Sequence, residues 1–159
     1  MYNNSTNDRP EITDLQVDKF QGLIAKLYQC CTERMQYQSE KFGLPDAQLR
    51  CLVLFGDERY LTPKGISQKM NVVKSRVTSI VNGLFKKGLI QRIKDPGDSR
   101  ISLLSLSPKG QKKLSEIRSF MGYVHREVLS QMEPEQRKIM LTNLDLLKAS
   151  MESVKELMD

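Results

Sequence analysis

The chain reads TPKGISQKMNVVKSRVTSIVNGLFKK over residues 62–87, and this stretch predicts two helices joined by a tight turn. Thr62 is a favoured N-cap residue, and Pro63 suits the first position of a helix because it needs no hydrogen-bond donor there. A short helix is therefore expected to run to Met70, with the turn beginning at Asn71.

The second helix is predicted from about Val73 to Lys87, and the helical period divides it into an apolar face and a polar face. The apolar face holds Val77, Ile80, Val81 and Leu84. The other face and its flanks carry side chains suited to base edges and phosphates, namely Lys74, Ser75, Arg76, Thr78, Ser79, Asn82 and Lys86. Ordinary solvent exposure is the alternative explanation for such a face. Its occurrence beside a basic hairpin favours DNA contact.

That hairpin is predicted from two β-rich runs, Leu89 to Lys94 and Ile101 to Leu106. A charged loop, residues 95–100, separates them and contains a Pro-Gly turn signal. A short helix, a turn, a second helix and a basic hairpin form the order of a winged helix-turn-helix. In that fold the second helix enters the major groove and the hairpin reaches the neighbouring backbone or minor groove.

Long amphipathic helices flank this predicted lobe. From Ile12 onward, apolar residues recur at steps of three and four, and Ser107 and Pro108 begin another helix. The last helix has the seam spacing of a coiled coil at Met140, Leu144, Leu147, Met151 and Val154. An intramolecular core would explain this seam, but we favour a dimer interface built from both termini.

The expected organisation is mainly α with a small β-hairpin wing. A mobile N-terminus at residues 1–10 precedes dimerisation helices at 11–42 and 108–159, and the winged lobe lies at 43–107.

Charge is concentrated in the part of the chain that carries the predicted DNA-binding elements. The 159 residues have a net charge of +6, yet residues 61–113 hold twelve Lys and Arg against two Asp, a local net charge of +10. A solvated face explains a charge bias equally well by itself. Together with the predicted helix-turn-helix, the basic block points to a polyanionic partner, double-stranded DNA.

Other classes of function lack support in the sequence. The longest apolar run, residues 51–55, is far too short for a membrane span. There is one histidine, His125, and no phosphate-loop, dinucleotide or zinc-protease motif, so we expect no enzymatic activity and no cofactor or metal. Cys30, Cys31 and Cys51 suit free, buried thiols in a cytoplasmic protein, and a redox-sensing role for Cys30 and Cys31 is the alternative.

Several motifs together resemble the MarR family of bacterial transcription regulators. They are residues 66–72 (ISQKMNV), 84–90 (LFKKGLI), 95–100 (DPGDSR) and 106–110 (LSPKG). The resemblance implies an obligate homodimer with entwined first and last helices, bound to a pseudo-palindromic operator. It also implies that Arg100 inserts into the minor groove, with Asp98 as its orienting partner. An exposed ion pair without function is the alternative.

The chain departs from the family pattern within the recognition helix. Val73 stands where the family usually has a capping Ser or Asp, and Ser79 stands where it often has Arg. Gly83 lies in mid-helix, where glycine costs about 1 kcal/mol relative to alanine.

Many members of this family bind small aromatic or phenolic acids in a crevice between the dimerisation helices and the winged lobe. By that resemblance, Tyr28, Met35, Tyr37 and Arg50 are candidate lining residues, with plain packing as the alternative. The expected function is that of a dimeric, sequence-specific DNA-binding regulator, acting as a ligand-responsive repressor. A winged-helix module that binds only protein is the alternative.

Overall fold

The computed structural model describes residues 10–158 as six helices and a two-stranded hairpin. The predicted mobile N-terminus, apart from Pro10, lies outside the described residues. The elements are α1 (Asp14–Phe42), α2 (Asp46–Leu54), α3 (Pro63–Met70), α4 (Lys74–Lys86), β1 (Ile90–Lys94), β2 (Ser102–Leu106), α5 (Pro108–Ser130) and α6 (Pro134–Glu156). This mainly helical fold with a hairpin wing confirms the predicted class.

Side-chain caps begin three of the helices. Thr13 and the first turn of α1 form a capping box, and the Thr62 hydroxyl accepts a 3.0 Å hydrogen bond from the backbone N–H of Gly65. Ser107 does the same for Gly110 at 3.0 Å. The predicted helix starts after Thr62 and Ser107 are therefore confirmed, because each cap satisfies a donor that the first turn leaves unpaired.

An isolated β-bridge joins a third segment of the chain to the hairpin. β1 and β2 pair antiparallel from Ile90↔Leu106 to Lys94↔Ser102. Leu61, just before α3, exchanges backbone hydrogen bonds of 2.9 and 2.8 Å with Leu104. This bridge, which the sequence patterns did not predict, ties the start of the helix-turn-helix to the wing.

One hydrophobic core fills the lobe between α2 and the first half of α5. It includes the apolar face of α4 predicted from the sequence: Val77, Ile80, Val81 and Leu84. By contrast, α6 has no buried residue, and Gln38 is the one buried residue of α1. Within residues 10–158 no helix is long and apolar enough to cross a bilayer.

The expectation of buried thiols is only partly correct. Cys51 is fully buried in the core, and burial raises the pKa of its thiol to about 12. Cys30 and Cys31 are exposed on α1, so the expectation was wrong for these two residues in the single chain. The reason is that the apolar stripe of α1 packs against few residues of its own chain.

The end of α4, the start of β1 and the start of α5 meet at one junction. The Ser107 hydroxyl donates to the Gly88 carbonyl at 2.5 Å, and the Ser107 amide donates to the Leu89 carbonyl at 3.0 Å. Lys109 Nζ donates to the Lys87 carbonyl at 3.0 Å.

Gly110 lies directly against the Leu89 carbonyl, where a Cβ would overlap the oxygen atom. Only glycine permits this approach of α5, because backbone supplies the obstructing atoms.

We predict that Gly110→Ala destabilises the protein by about 3 kcal/mol, since the added methyl group must push two backbone segments apart. Gly122→Ala, in the same helix, is the matched control. Its Cβ would meet nothing nearer than an Arg126 nitrogen at 3.4 Å, so helix propensity should stabilise it by up to about 1 kcal/mol. Urea unfolding at fixed protein concentration measures both. Equal stability of Gly110→Ala and wild type would contradict the proposed role of the junction.

Candidate nucleic-acid interface

Helix α4 presents a continuous polar surface opposite the core. Its buried residues are the four apolar ones that belong to the core. All seven α4 residues predicted to contact DNA are exposed: Lys74, Ser75, Arg76, Thr78, Ser79, Asn82 and Lys86. Six of them share one side of the helix, and Arg76 lies at its edge. The surface is uninterrupted because the core residues occupy the opposite positions of each turn.

The first turn of α4 has no side-chain cap. Val73 occupies the N-cap position in an extended conformation, and its side chain has no group that accepts hydrogen bonds. The α3–α4 turn is closed instead by Asn71, which has φ of 52° in the left-handed region that asparagine tolerates. The open first-turn N–H groups can therefore meet another acceptor, such as water or phosphate.

Helix α2 packs closely behind α4 at Gly83. A Cβ at Gly83 would overlap the side-chain amide nitrogen of Gln48. The side-chain oxygen of Gln48, Oε1, accepts a 2.7 Å hydrogen bond from Lys87 Nζ at the end of α4. This packing explains the mid-helix glycine, because the missing side chain leaves room for Gln48. Sequence reasoning missed Gln48, since no local pattern connects it with residues 35 or more positions away.

The wing tip holds the predicted Asp98 and Arg100 pair together. Asp98 Oδ1 accepts hydrogen bonds from the Arg100 backbone N–H at 3.0 Å and from Arg100 Nε at 3.3 Å. The Arg100 side chain is 91% exposed, whereas that of Asp98 is 40% exposed. An ion pair this exposed adds about 1 kcal/mol or less to stability. Its effect is to hold the guanidinium outward from the tip.

The root of the wing is fastened to α4 by a second arginine that sequence reasoning did not single out. The Arg92 guanidinium lies 5.0 Å from the centre of the Phe85 ring, within the range of a cation–π interaction. Arg92 and Phe85 belong to β1 and α4, so this interaction holds the wing against α4.

A crevice of about 620 Å³ lies between α1 and α2. Three of the four predicted crevice residues line it: Tyr28, Met35 and Arg50. Tyr37 does not, and that expectation is corrected: its ring packs 5.8 Å from the ring of Phe120 on α5. Tyr37 lies two positions beyond Met35, which turns it to the far side of α1.

The crevice has further lining residues that sequence reasoning did not select. Cys31, Gln36 and Asp46 are among them. Asp46 Oδ2 accepts a 3.1 Å hydrogen bond from Arg50 Nε one turn along α2, which orients the guanidinium at the crevice wall. Among residues 10–158, no group of three His, Cys, Asp or Glu side chains is arranged to hold a metal ion.

Known proteins share sequence features with this chain. The profile of the MarR family matches residues 44–102, from the start of α2 to the wing. The HTH-type transcriptional repressor MdtR of Bacillus subtilis is 31% identical over 104 residues, which are 65% of this chain and 67% of MdtR. The chain belongs to the MarR family of transcriptional regulators. The matched range lies inside the predicted winged lobe.

Solved MarR-type structures share the fold well beyond the lobe. A MarR family protein from Bacillus stearothermophilus superposes with a TM-score of 0.80 at 20% identity, covering 89% of this chain and 99% of that one. FabT of Streptococcus pneumoniae, solved in complex with DNA, gives a TM-score of 0.73 at 20% identity, covering 85% and 99%. The fold similarity therefore includes the long helices that flank the lobe.

Proposed function

We propose that this MarR family regulator is a homodimeric repressor that binds a pseudo-palindromic DNA operator and responds to a small ligand. The observation that carries the DNA-binding part is the uninterrupted polar face of α4, exposed opposite a fully packed apolar face. A helix held in this way can enter the major groove without losing its own packing.

The side chains on this surface suit two kinds of DNA contact. Arg76 lies near the start of α4, where residues of a recognition helix reach base edges. Lys86 lies at the far end, where a cation meets the phosphate backbone. Arg100, held outward by Asp98, suits the narrow minor groove of A-tracts, where negative potential is concentrated.

Two comparisons support the proposal. FabT shares the fold and was solved with DNA, and the relative MdtR is named a transcriptional repressor. The local charge of +10 over residues 61–113 adds an independent argument for a polyanionic partner.

The proposed dimer would cover apolar surface that the single chain leaves open. Along α1, the side chains of Phe20, Leu23 and Leu27 are about half exposed. Along α6, Leu144, Met151 and Val154 are also about half exposed, and no α6 residue is buried. A helix of 23 residues gains little stability without a packed apolar stripe. A second copy supplies that packing with the same residues.

The proposed effector is a small aromatic or phenolic acid in the α1–α2 crevice. Arg50 offers a guanidinium for the carboxylate, and Tyr28 and Met35 offer apolar surface. Helix α2 carries Asp46 and Arg50 on one side and Gln48, which contacts α4, on the other. A ligand that displaces α2 would therefore move the recognition helix.

The alternative function, a winged-helix module that binds only protein, makes a different prediction for DNA. Such a module has no reason to discriminate one duplex from another. A measured preference among duplexes therefore separates it from the proposed regulator.

We predict that Leu147→Glu dissociates or unfolds the dimer, because it buries an unpaired charge in the α6 seam. Ala149→Glu adds the same charge on the charged side of α6 and is the matched control. Sedimentation velocity at micromolar concentration measures both variants, and the control should sediment as the wild type does. A folded, dimeric Leu147→Glu protein would refute the proposed interface.

We predict that Arg76→Ala and Lys86→Ala weaken DNA binding in different ways. Arg76→Ala should cost about 1 to 3 kcal/mol on an operator selected from random duplexes, and less on random DNA. Lys86→Ala should weaken binding to both alike and lower the salt slope by about 0.9 for each phosphate that it no longer neutralises. Lys155→Ala, in α6, should change neither.

Fluorescence anisotropy titrations at several salt concentrations measure these effects. Equal losses of affinity for Arg76→Ala on operator and random DNA would contradict base reading by Arg76. Wild-type protein that shows no preference for any duplex would favour the protein-binding alternative.

We predict that 4-hydroxybenzoate releases wild-type protein from its operator. Arg50→Gln should need about tenfold more of it, because the variant offers the carboxylate no charge-assisted hydrogen bond. Tyr37→Phe is the control, since Tyr37 lies outside the crevice, and should respond like the wild type. DNA-binding titrations with increasing ligand measure the response. An unchanged response in Arg50→Gln would place the effector elsewhere.

A further inference from the structure

A second cavity, of about 340 Å³, lies at the root of the wing. We call it the root pocket. The loop after α2 forms one wall, the sheet forms another, and the first turn of α5 closes a third. Its polar lining residues are Arg59, Gln91, Ser105 and Gln111. The root pocket shares no lining residue with the α1–α2 crevice and includes no residue of α4.

The sheet wall contains a buried hydroxyl group without a partner. Ser105 pairs with Gln91 in the β1–β2 register, so both side chains lie on the same face of the hairpin. Ser105 is 5% exposed, and its Oγ has no hydrogen-bond partner within the described residues. Buried polar groups are nearly always hydrogen-bonded, so this unpaired hydroxyl, which lies just behind the cavity wall, can meet an outside acceptor or donor once its side chain rotates toward the cavity.

The loop wall contains an arginine without a carboxylate partner among residues 10–158. Its two acidic neighbours are engaged elsewhere: Asp57 pairs with Arg118 at 3.3 Å, and Glu58 pairs with Lys69 at 3.0 Å. The Arg59 guanidinium lies 5.5 Å from the centre of the Tyr60 ring, which holds it beside the cavity while its N–H groups remain available. No acidic residue lines the root pocket in the described part of the chain.

The remaining lining residues are aromatic or aliphatic: Phe55, Tyr60, Ile93 and Leu106. A ligand that combines negative charge with a compact apolar body can use both halves of this lining. A cation would meet only Arg59 as a charged group, and a fully polar anion would leave the aromatic wall uncovered.

We propose that the root pocket binds a small carboxylate with a compact apolar body. The carboxylate accepts from Arg59 and from the Ser105 hydroxyl, the Gln91 and Gln111 amides supply further donors, and the apolar body lies against Phe55. Such a ligand joins the α2–α3 loop, the wing and α5. Binding at this site is a property of the free protein and does not depend on the proposed DNA interface.

The test uses the full-length, ¹⁵N-labelled protein with benzoate as the probe and benzamide as its uncharged isostere. In wild-type protein, benzoate should shift the backbone amide signals of Gln91, Ser105 and Gln111 saturably. Benzamide should bind at least about tenfold more weakly, because it offers no charge to Arg59. Arg59→Gln should reduce benzoate affinity to that of benzamide, whereas Arg50→Gln, in the other crevice, should leave these three signals responding as in wild type.

Ser105→Ala provides a second, independent readout. Removing an unpartnered buried hydroxyl should raise the melting temperature of the free protein while weakening benzoate binding. Three results would overturn the proposal: no saturable shift at the root pocket, unchanged benzoate affinity in Arg59→Gln, or unchanged benzoate affinity in Ser105→Ala. Shifts confined to the α1–α2 crevice would assign benzoate to that site and likewise overturn it.

Discussion

The packing of Gly110 against the Leu89 carbonyl fixes the corner where three elements of the winged lobe meet. At this point α4 has just ended, the wing begins and α5 starts its path away from the lobe. Ser107 ties the same corner with hydrogen bonds to the Gly88 and Leu89 carbonyls. Because these interactions involve backbone atoms, the three elements can shift little relative to one another at this corner. This corner and the shared hydrophobic core together hold α4 and α5 in place relative to each other.

This constraint matters for function because α5 connects the lobe to the helices proposed to form the dimer. In a dimer, the separation of two recognition helices depends on how rigidly each lobe is joined to the shared helices. Helix α2 adds a second connection: Gln48 supports α4 at Gly83, while Asp46 and Arg50 face the crevice. The proposed ligand-responsive regulator would use both features, a lobe that holds its shape and one element that a ligand can displace.

Much of the local structure follows from short sequence patterns, whereas the packing of distant segments does not. The caps at Thr62 and Ser107 depend on neighbours within one turn, and the structure agrees with them. The Leu61–Leu104 bridge and the root pocket depend instead on how whole elements pack. Periodicity also cannot tell which chain covers an apolar stripe. For that reason Cys31, on the stripe of α1, was wrongly expected to be buried within its own chain.

Selection of bound fragments from random duplexes tests whether two copies of this lobe read DNA together. Paired lobes should enrich an inverted repeat whose two half-sites lie about one helical turn apart, roughly 10 base pairs from centre to centre. Enrichment of a single, unrepeated half-site would contradict the paired lobes. The absence of any enriched motif would contradict sequence-specific DNA binding itself.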